Sequence, residues 1–242
     1  MFTKTRAIVL SNRKYKENSA ILQLYTEEYG RCSYILHGIQ SKRSGKRLSF
    51  LQPFSTVEVE AKSHPKHELQ QIKEIKADYL HAHLLFDPFK NAIALFLSEV
   101  LLRVLRSNET DKPLFSFLHS SIRYLDLMEK GVANFHIAFL IRLSRFLGFF
   151  PLVEKKKSDC SYFDLKQVVF TSSKPFHEHY LTPKETIFLP QIIRISYNNM
   201  HRFRFNRKER TELLEKILSY YKLHLQDFGE INALCVLKEV FD

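Results

Sequence analysis

The sequence predicts an α+β protein, with a five-stranded barrel at its N-terminus and a helical domain after it. Short apolar segments separated by polar residues fill about the first 80 residues, and apolar residues at helical spacing fill most of the rest. The expected domains are therefore residues 1–80, which form the barrel, and residues 81–242, a helical domain with an irregular insertion at about 149–182.

Five short segments have the composition and length of β-strands. The expected strands are residues 6–10, 20–25, 32–36, 57–62 and 69–76. Tyr29 and Gly30 indicate a hairpin turn between the second and third strands. The fourth segment alternates apolar and polar residues strictly, whereas the apolar residues of the fifth break that alternation. Five short strands within 80 residues favour a small closed or partly open barrel.

Apolar residues three and four positions apart predict helices beyond residue 79. The first helix begins at Asp87, whose side chain is a good N-cap, and the third stops at Gly148. A short last helix is expected over residues 231–241. Two pairs have the spacing of a capping box, Thr182 with Glu185 and Asn206 with Glu209.

The charge balance favours a polyanionic partner. The chain carries 37 Lys and Arg against 26 Asp and Glu, a formal net charge of +11. Such a charge attracts nucleic acid or an anionic membrane surface, and a charge that serves only solubility is the alternative.

Cysteine usage and hydropathy place the chain inside the cell. Cys32, Cys160 and Cys235 are far apart and form no CxxC pair, so a disulfide framework is not expected and a reducing cytoplasm is favoured. The N-terminus lacks the apolar stretch of a signal peptide, and no apolar run is long enough to span a bilayer. We therefore expect an intracellular protein without a membrane partner.

Cations cluster at two places in the predicted barrel. One group lies in the turn between the first two strands around Tyr15, and the other lies in an acid-free loop between the third and fourth strands. These residues are Arg13, Lys14 and Lys16, then Lys42, Arg43, Lys46 and Arg47. Cations interleaved with aromatic rings suit a single strand, because bases stack on rings while Lys and Arg follow the backbone. The alternatives are a solvated charge run and tyrosines that belong to the core.

A second basic cluster precedes a predicted helix. Its residues are Arg202, Arg204, Arg207 and Lys208. The cluster is consistent with an extension of the nucleic-acid path or a site for an acidic protein tail, and a solvated start to the helix is the alternative.

Patterns of catalysis and metal binding are missing from the sequence. It contains no GxGxxG, GxxxxGK[ST] or GxSxG motif. His177 and His179 are the best-placed histidine pair, yet no cysteine stands near them at structural-zinc spacing. We expect no catalytic residue, no metal and no cofactor, and hence a protein that is not an enzyme.

Several segments resemble the bacterial RecO family of recombination proteins. The matching residues are 25–28 (Tyr-Thr-Glu-Glu), 30–31 (Gly-Arg), Gly38, 41–44 (Ser-Lys-Arg-Ser), 51–54 (Leu-Gln-Pro-Phe), Phe139, Arg142, Leu143, 147–149 (Leu-Gly-Phe) and Pro151. The likeness is dense over residues 1–60 and sparser over 90–151. Many family members also carry a four-cysteine zinc module, but residues 152–182 hold only Cys160, which argues against zinc here.

The resemblance implies an OB-fold barrel followed by a helical domain, and a role in recombinational DNA repair. RecO-like proteins bind single- and double-stranded DNA, anneal complementary strands, and act in the cytoplasm at the nucleoid. They contact the acidic C-terminal tail of single-strand-binding protein (SSB) and, with RecR, help load RecA. By position, Arg31, Lys42 and Arg43 would lie on the DNA-binding face. A different OB-type module for structured RNA and a metal-dependent nuclease are the alternatives.

Overall fold

A computed structural model describes residues 2–39, 50–62, 69–106, 108–151 and 162–241. The chain divides into two compact units. The first unit combines Met1–Val132 with Glu230–Asp242, and the second is Ala133–Gly229.

Five strands of the first unit close into a barrel. They are β1 (Thr3–Tyr15), β2 (Ser19–Thr26), β3 (Gly30–His37), β4 (Thr56–Lys62) and β5 (Leu69–Ala77). Their order around the barrel is β1-β2-β3-β5-β4, with β3 and β5 parallel and the other neighbours antiparallel. The barrel followed by helices confirms the predicted fold class.

The remaining described elements follow in chain order. The α-helices are α1 (Pro88–Val104), α2 (Lys112–Leu127), α3 (Phe135–Phe146), α4 (Pro183–Thr186), α5 (Leu189–Ile192), α6 (Arg207–His224) and α7 (Ala233–Val240). Between α3 and α4 lie β6 (Tyr162–Asp164), β7 (Val169–Thr171) and β8 (Tyr180–Leu181), and 3₁₀ turns cover Val132–Asn134 and Met200–Arg202. Among the described residues, no helix combines the length and the apolar character needed to cross a membrane.

Two β-bulges shape the barrel strands. Val9 pairs with Leu24 but Ser11 pairs with Gln23, so Leu10 is an extra residue in β1. A matching shift in the β4–β5 ladder makes Lys73 the extra residue of β5. Because a bulge reverses which face the following side chains occupy, Ile72 and Ile75 both reach the interior. The bulge therefore explains the broken alternation in the fifth segment.

The barrel core consists of inward-facing residues from all five strands, with Leu51 from the segment before β4. Its strand members are Ala7, Val9, Ala20, Leu22, Leu24, Cys32, Tyr34, Leu36, Val57, Val59, Ala61, Ile72 and Ile75. Side chains alternate between the two faces of a strand, so the residues between these positions form the outer surface.

Helix starts in the first unit follow the capping chemistry. Asp87 accepts hydrogen bonds from the main-chain N–H groups of Phe89 and Lys90, and Asp111 accepts one from Leu114 at 2.8 Å. Helix α7 packs on α1, where the Glu99 carboxylate accepts the N–H groups of Asn232 and Ala233. The last helix of the chain is thus part of the barrel-containing unit.

The second unit pairs helices with a small sheet. Helix α3 packs on α6, and the Tyr221 hydroxyl donates to the Leu140 carbonyl at 2.6 Å. Helices α4 and α6 begin at the two predicted capping boxes. The described part of residues 149–182 holds the sheet β7-β6-β8, where the sequence predicts irregular structure. Strands of two or three residues are too short to show a period in the sequence.

Candidate nucleic-acid interface

The outer surface of β1, β2, β3 and β5 is arranged in three rows of paired residues. We call it the β2–β3 face. Its rows are Tyr15–Ser19–His37, Arg13–Ile21–Ile35–Gln71 and Ser11–Gln23–Ser33–Leu69. Successive rows lie roughly 7 Å apart, because they are separated by two residues along each strand. In OB-folds this surface and its flanking loops bind oligonucleotides and oligosaccharides.

Polar side chains on the β2–β3 face hydrogen-bond to one another. Ser19 and His37 are joined at 2.9 Å between Oγ and Nδ1, and Gln23 Nε2 donates to Ser33 Oγ at 2.7 Å. Tyr15 is 41% exposed, and the Lys16 Nζ lies 5.5 Å from its ring centre. None of the eleven residues in the three rows is a carboxylate, so the face has no fixed negative charge.

The outer surface of β4 and β5, with the start of β1, has a different charge pattern. Its cations lie beside carboxylates: Lys73 contacts Glu60 at 2.6 Å and Lys76 contacts Glu58 at 3.0 Å. Arg6 pairs with Glu27 at 2.8 Å. We call this mixed surface the β4–β5 face. Neutralised pairs offer little attraction to a polyanion, so the β2–β3 face is the better candidate.

The predicted cations near Tyr15 lie partly in a strand. Arg13 and Lys14 belong to β1, opposite Ile21 and Ala20, so their assignment to the turn is corrected. The strand extends to residue 15, because its residues keep pairing with β2 beyond the bulge at Leu10 as far as Tyr15↔Ser19. Lys16 does lie in the turn, with a positive φ of 55°. Among the described residues, no ion pair joins any of these three cations to a carboxylate.

Arg31 contacts the helical part of the first unit. Its Nη1 donates to the main-chain carbonyl of Leu102 in the last turn of α1, at 2.8 Å. Burial lowers the pKa of its guanidinium below the ordinary value for arginine. The DNA contact expected of Arg31 stays a prediction, and so do those expected of Lys42, Arg43, Lys46 and Arg47, which lie outside the described residues.

The hairpin between β2 and β3 docks on the neighbouring helices through residues that the sequence analysis did not single out for this role. Glu27 receives two hydrogen bonds from Arg6, which chiefly account for the lowered pKa of this carboxyl. Glu28 pairs with Lys112 at the start of α2, at 3.0 Å. Thr26 Oγ1 donates to the Gly30 carbonyl and accepts the N–H of Tyr29. Glu28 and Arg31 therefore link the hairpin to the helices, whereas Glu27 links it to β1.

The second basic cluster lies around the start of α6 in the second unit. Arg202, Arg204, Arg207 and Lys208 are all exposed. The segment that carries Arg202 and Arg204 is held by the buried side-chain amide of Asn134. Its Nδ2 donates to the carbonyls of Met200 and Phe203.

An apolar groove of about 560 Å³ lies beside this cluster in the second unit. Its walls include Leu140, Phe188, Ile192, Phe203, Leu213 and Ile217, and Arg204 stands at its edge. Of the carboxylates around it, Glu185 pairs with Lys216, Glu209 closes the capping box with Asn206, and Glu212 lies 3.9 Å from Lys208. Sequence reasoning missed the groove because its walls come from segments far apart in the chain.

In the second unit, His177 contacts one carboxylate and one neighbouring histidine. The His177 Nε2 lies 3.1 Å from Asp164 Oδ2, and His177 Nδ1 accepts the N–H of His179. Within the described ranges, no group of three or more potential ligands is placed to hold a metal ion. Cys160 lies outside those ranges.

Comparisons with known proteins agree along the whole chain. The family models for the recombination protein O N terminal and C terminal match residues 1–79 and 85–229. A DNA repair protein RecO of Phocaeicola vulgatus is 40% identical over 241 residues, and one of Bacteroides fragilis is 42% identical over 243 residues. A third, of Porphyromonas gingivalis, is 35% identical over 245 residues, and all three alignments cover 100% of both chains. The chain therefore belongs to the RecO family of DNA repair proteins.

Proposed function

We propose that this protein is a DNA-binding recombination mediator that anneals complementary strands without making or breaking bonds. It acts on single strands coated by SSB and, with RecR, helps load RecA. One observation carries the DNA-binding part: the carboxylate-free rows of the β2–β3 face include Arg13, and Lys14 and Lys16 follow it towards the turn, whereas cations of the β4–β5 face are paired with acids.

Annealing needs electrostatics more than chemistry. Two strands repel through their phosphates, and cations that replace condensed counterions lower this cost. Each phosphate contact on a single strand contributes about 0.7 to the slope of log affinity against log salt. The number of contacts can therefore be measured directly.

The first test removes the three cations beside the β2–β3 face. In Arg13→Ala/Lys14→Ala/Lys16→Ala, the salt slope for single-stranded DNA should become shallower by about 2, and annealing should slow. The control Lys4→Ala/Lys73→Ala/Lys76→Ala removes the same charge from the β4–β5 face and should leave the slope nearly unchanged. Equal slopes for the two variants would remove the β2–β3 face from the site.

The same measurement applies to residues 42–47, which the sequence predicts to form a loop before β4. Changing Lys42, Arg43, Lys46 and Arg47 to Ala should flatten the slope by up to about 2.8 if all four contact phosphates. An unchanged slope would exclude this loop. Competition with transfer RNA checks the substrate, because comparable affinity for it would favour a structured-RNA module.

The groove of the second unit is our proposed site for the SSB tail. Its apolar walls suit apolar side chains, while Arg204 and Arg202 suit the tail's carboxylates. We expect Arg202→Ala/Arg204→Ala to weaken binding of a tail peptide by about tenfold or more. Lys174→Ala, which removes an exposed cation of the same unit outside the groove walls, is the control. Loss of binding in the control alone would place the tail elsewhere.

Functional assays test the proposed roles of SSB, RecR and RecA. Annealing of SSB-coated strands should become sensitive to added tail peptide, which competes for the groove. RecA filament formation on coated strands should require both this protein and RecR. RecA loading at full rate when either is omitted would contradict the mediator role.

A further inference from the structure

The small sheet of the second unit has two different sides. Phe163 and Leu181, which pair across β6 and β8, both line the apolar groove. Side chains alternate along a strand, so Tyr162 and Asp164 on β6, with Tyr180 opposite Asp164, lie on the other side of the sheet. The groove therefore uses one side of this sheet, and the other side is available for a different contact.

Aromatic rings and cations meet on the side away from the groove. The rings of Tyr162 and Tyr180 lie 5.6 Å apart and nearly at right angles, and Lys174 Nζ lies 5.6 Å from the centre of the Tyr180 ring. Phe176 is fully exposed two residues after Lys174, and Lys166 is exposed in the turn after β6. We call these five residues the outer sheet surface.

The carboxylate nearest to the outer sheet surface is buried and hydrogen-bonded. Asp164 is only 5% exposed, and it accepts two main-chain N–H groups of the turn that follows β6. Its other oxygen lies 3.1 Å from Nε2 of His177, in the segment that carries Phe176. Glu178 is the single acid among residues 172–179. The two lysines of the surface therefore outnumber its exposed carboxylate.

We propose that the outer sheet surface binds single-stranded DNA, as a second contact in addition to the β2–β3 face. Exposed rings beside cations fit an unpaired strand, because its bases stack on the rings while its phosphates lie at the lysines. An acidic peptide would use the lysines alone and leave the fully exposed ring of Phe176 without a role. The inference rests on the proposed function, because it assumes that the protein binds DNA and holds the SSB tail in the groove.

The position of the sheet gives this second contact a use. The groove and the outer sheet surface lie on opposite sides of one three-stranded sheet, within one unit of the chain. An SSB tail in the groove and a strand on the outer sheet surface can therefore be bound at the same time without competing. DNA released by SSB then meets rings and cations close to the point where the tail is held.

Photochemical crosslinking tests the contact in the wild-type protein. A single strand that carries iodouracil in place of thymine crosslinks to aromatic side chains that touch its bases. Trypsin releases residues 167–184 as one peptide, because it does not cut between Lys174 and Pro175, and this peptide carries Phe176 and Tyr180. We expect crosslinked DNA on this peptide, both with and without an excess of SSB tail peptide. Crosslinks confined to other peptides, or lost when tail peptide is added, overturn the proposal.

A double variant then measures the contribution of the surface. Lys174→Ala/Phe176→Ser changes two exposed side chains, so the fold should be kept. Loss of one stacked base should weaken binding of single-stranded DNA about fivefold or more. Loss of one phosphate contact should make the salt slope shallower by about 0.7.

The matched control removes one exposed cation and one exposed phenylalanine from the first unit. This variant is Phe86→Ser/Lys130→Ala, and it should keep the affinity and the salt slope of the wild type. A Lys174→Ala/Phe176→Ser protein that binds as tightly as this control contradicts the assignment.

The two proposals fail in different ways. If the triple cation variant of the β2–β3 face flattens the salt slope but Lys174→Ala/Phe176→Ser binds like the wild type, only the outer sheet surface is wrong. If only Lys174→Ala/Phe176→Ser weakens binding, the outer sheet surface stands and the β2–β3 face is not a site. If Lys174→Ala weakens binding of the tail peptide and the DNA crosslinks are missing, the occupant is an acidic peptide and the proposal is wrong.

Discussion

Arg31 Nη1 donates a 2.8 Å hydrogen bond to the carbonyl oxygen of Leu102, one of the last four carbonyls of α1. Such carbonyls have no partner within their own helix, so the guanidinium supplies one. We expect Arg31→Ala to lower the free energy of unfolding by about 1.5–3 kcal/mol, the usual range for a hydrogen bond to a charged group. Urea unfolding measures this.

The same variant decides whether Arg31 also binds DNA. A purely structural arginine leaves the salt slope for single-stranded DNA unchanged in protein that is still folded. A phosphate contact would instead make the slope shallower by about 0.7. An unchanged unfolding free energy with a shallower slope would reverse our assignment.

Gly30 lies where the turn of the β2–β3 hairpin meets the main chain of Glu109. Its φ is +66°, and a Cβ at this position would overlap the Glu109 carbonyl oxygen. Gly38 also has a positive φ, of +78°, but no atom of the described residues lies within 4 Å of its missing Cβ. Gly38→Ala should therefore cost only about 1–2 kcal/mol of backbone strain, whereas Gly30→Ala should cost clearly more. Thermal unfolding of both variants measures these losses of stability. An equal loss in Gly38→Ala and Gly30→Ala would contradict the close approach of Gly30 to Glu109.

Much of the fold follows from local patterns in the sequence. The β-strands and helix starts were predictable because alternation and caps such as Asp87, Asp111 and Asn206 act over a few residues. Which tyrosines belong to the core could be decided only from the structure, in which Tyr25 and Tyr34 are buried while Tyr15 is exposed. Alternation alone does not show which face of a strand meets the core.

The candidate site was less predictable than the fold. Ile21 and Ile35 become neighbours only through the register of β2 and β3, and the bulge at Leu10 brings Arg13 into their row. Nothing in the local sequence marks that bulge. The contact of Arg31 with Leu102 joins residues 71 positions apart, so the sequence did not show it, and the family resemblance assigned Arg31 to DNA alone.

Asp126 holds the segment that leads from the barrel to α1. Its carboxylate accepts the N–H groups of Ala82, His83 and Leu84 and the hydroxyl of Tyr79. Burial by itself would raise the pKa of this carboxyl, but the main-chain hydrogen bonds outweigh it and the pKa is lowered. Asp126→Asn should cost on the order of 3 kcal/mol at neutral pH, because an amide accepts fewer and weaker hydrogen bonds.

The lowered pKa of Asp126 also fixes the sign of its pH dependence. A carboxyl whose pKa is lower in the folded state stabilises above its unfolded pKa and loses that contribution as pH falls through the folded value. The gap between wild type and Asp126→Asn should therefore narrow below about pH 4. Asp227→Asn, at an exposed position, is the control for a lost charge, and a gap that stays constant with pH would contradict this account.

We expect buried His136 to make the second unit sensitive to acid. The side chain is buried in α3, and burial, with a smaller effect from the charge of Arg210, lowers the pKa of its imidazole to about 3. Between the unfolded value of about 6.5 and this folded value, only the unfolded chain binds the proton. The stabilisation due to His136 is therefore complete above about pH 6.5 and falls as the pH drops towards 3, by at most about 1.4 kcal/mol per pH unit.

In His136→Leu, the free energy of unfolding should depend less steeply on pH between about 6 and 4. His201→Gln, which removes an exposed histidine of the same unit, should keep the wild-type steepness, and a His136→Leu protein as acid-sensitive as the wild type would show that other groups cause the loss.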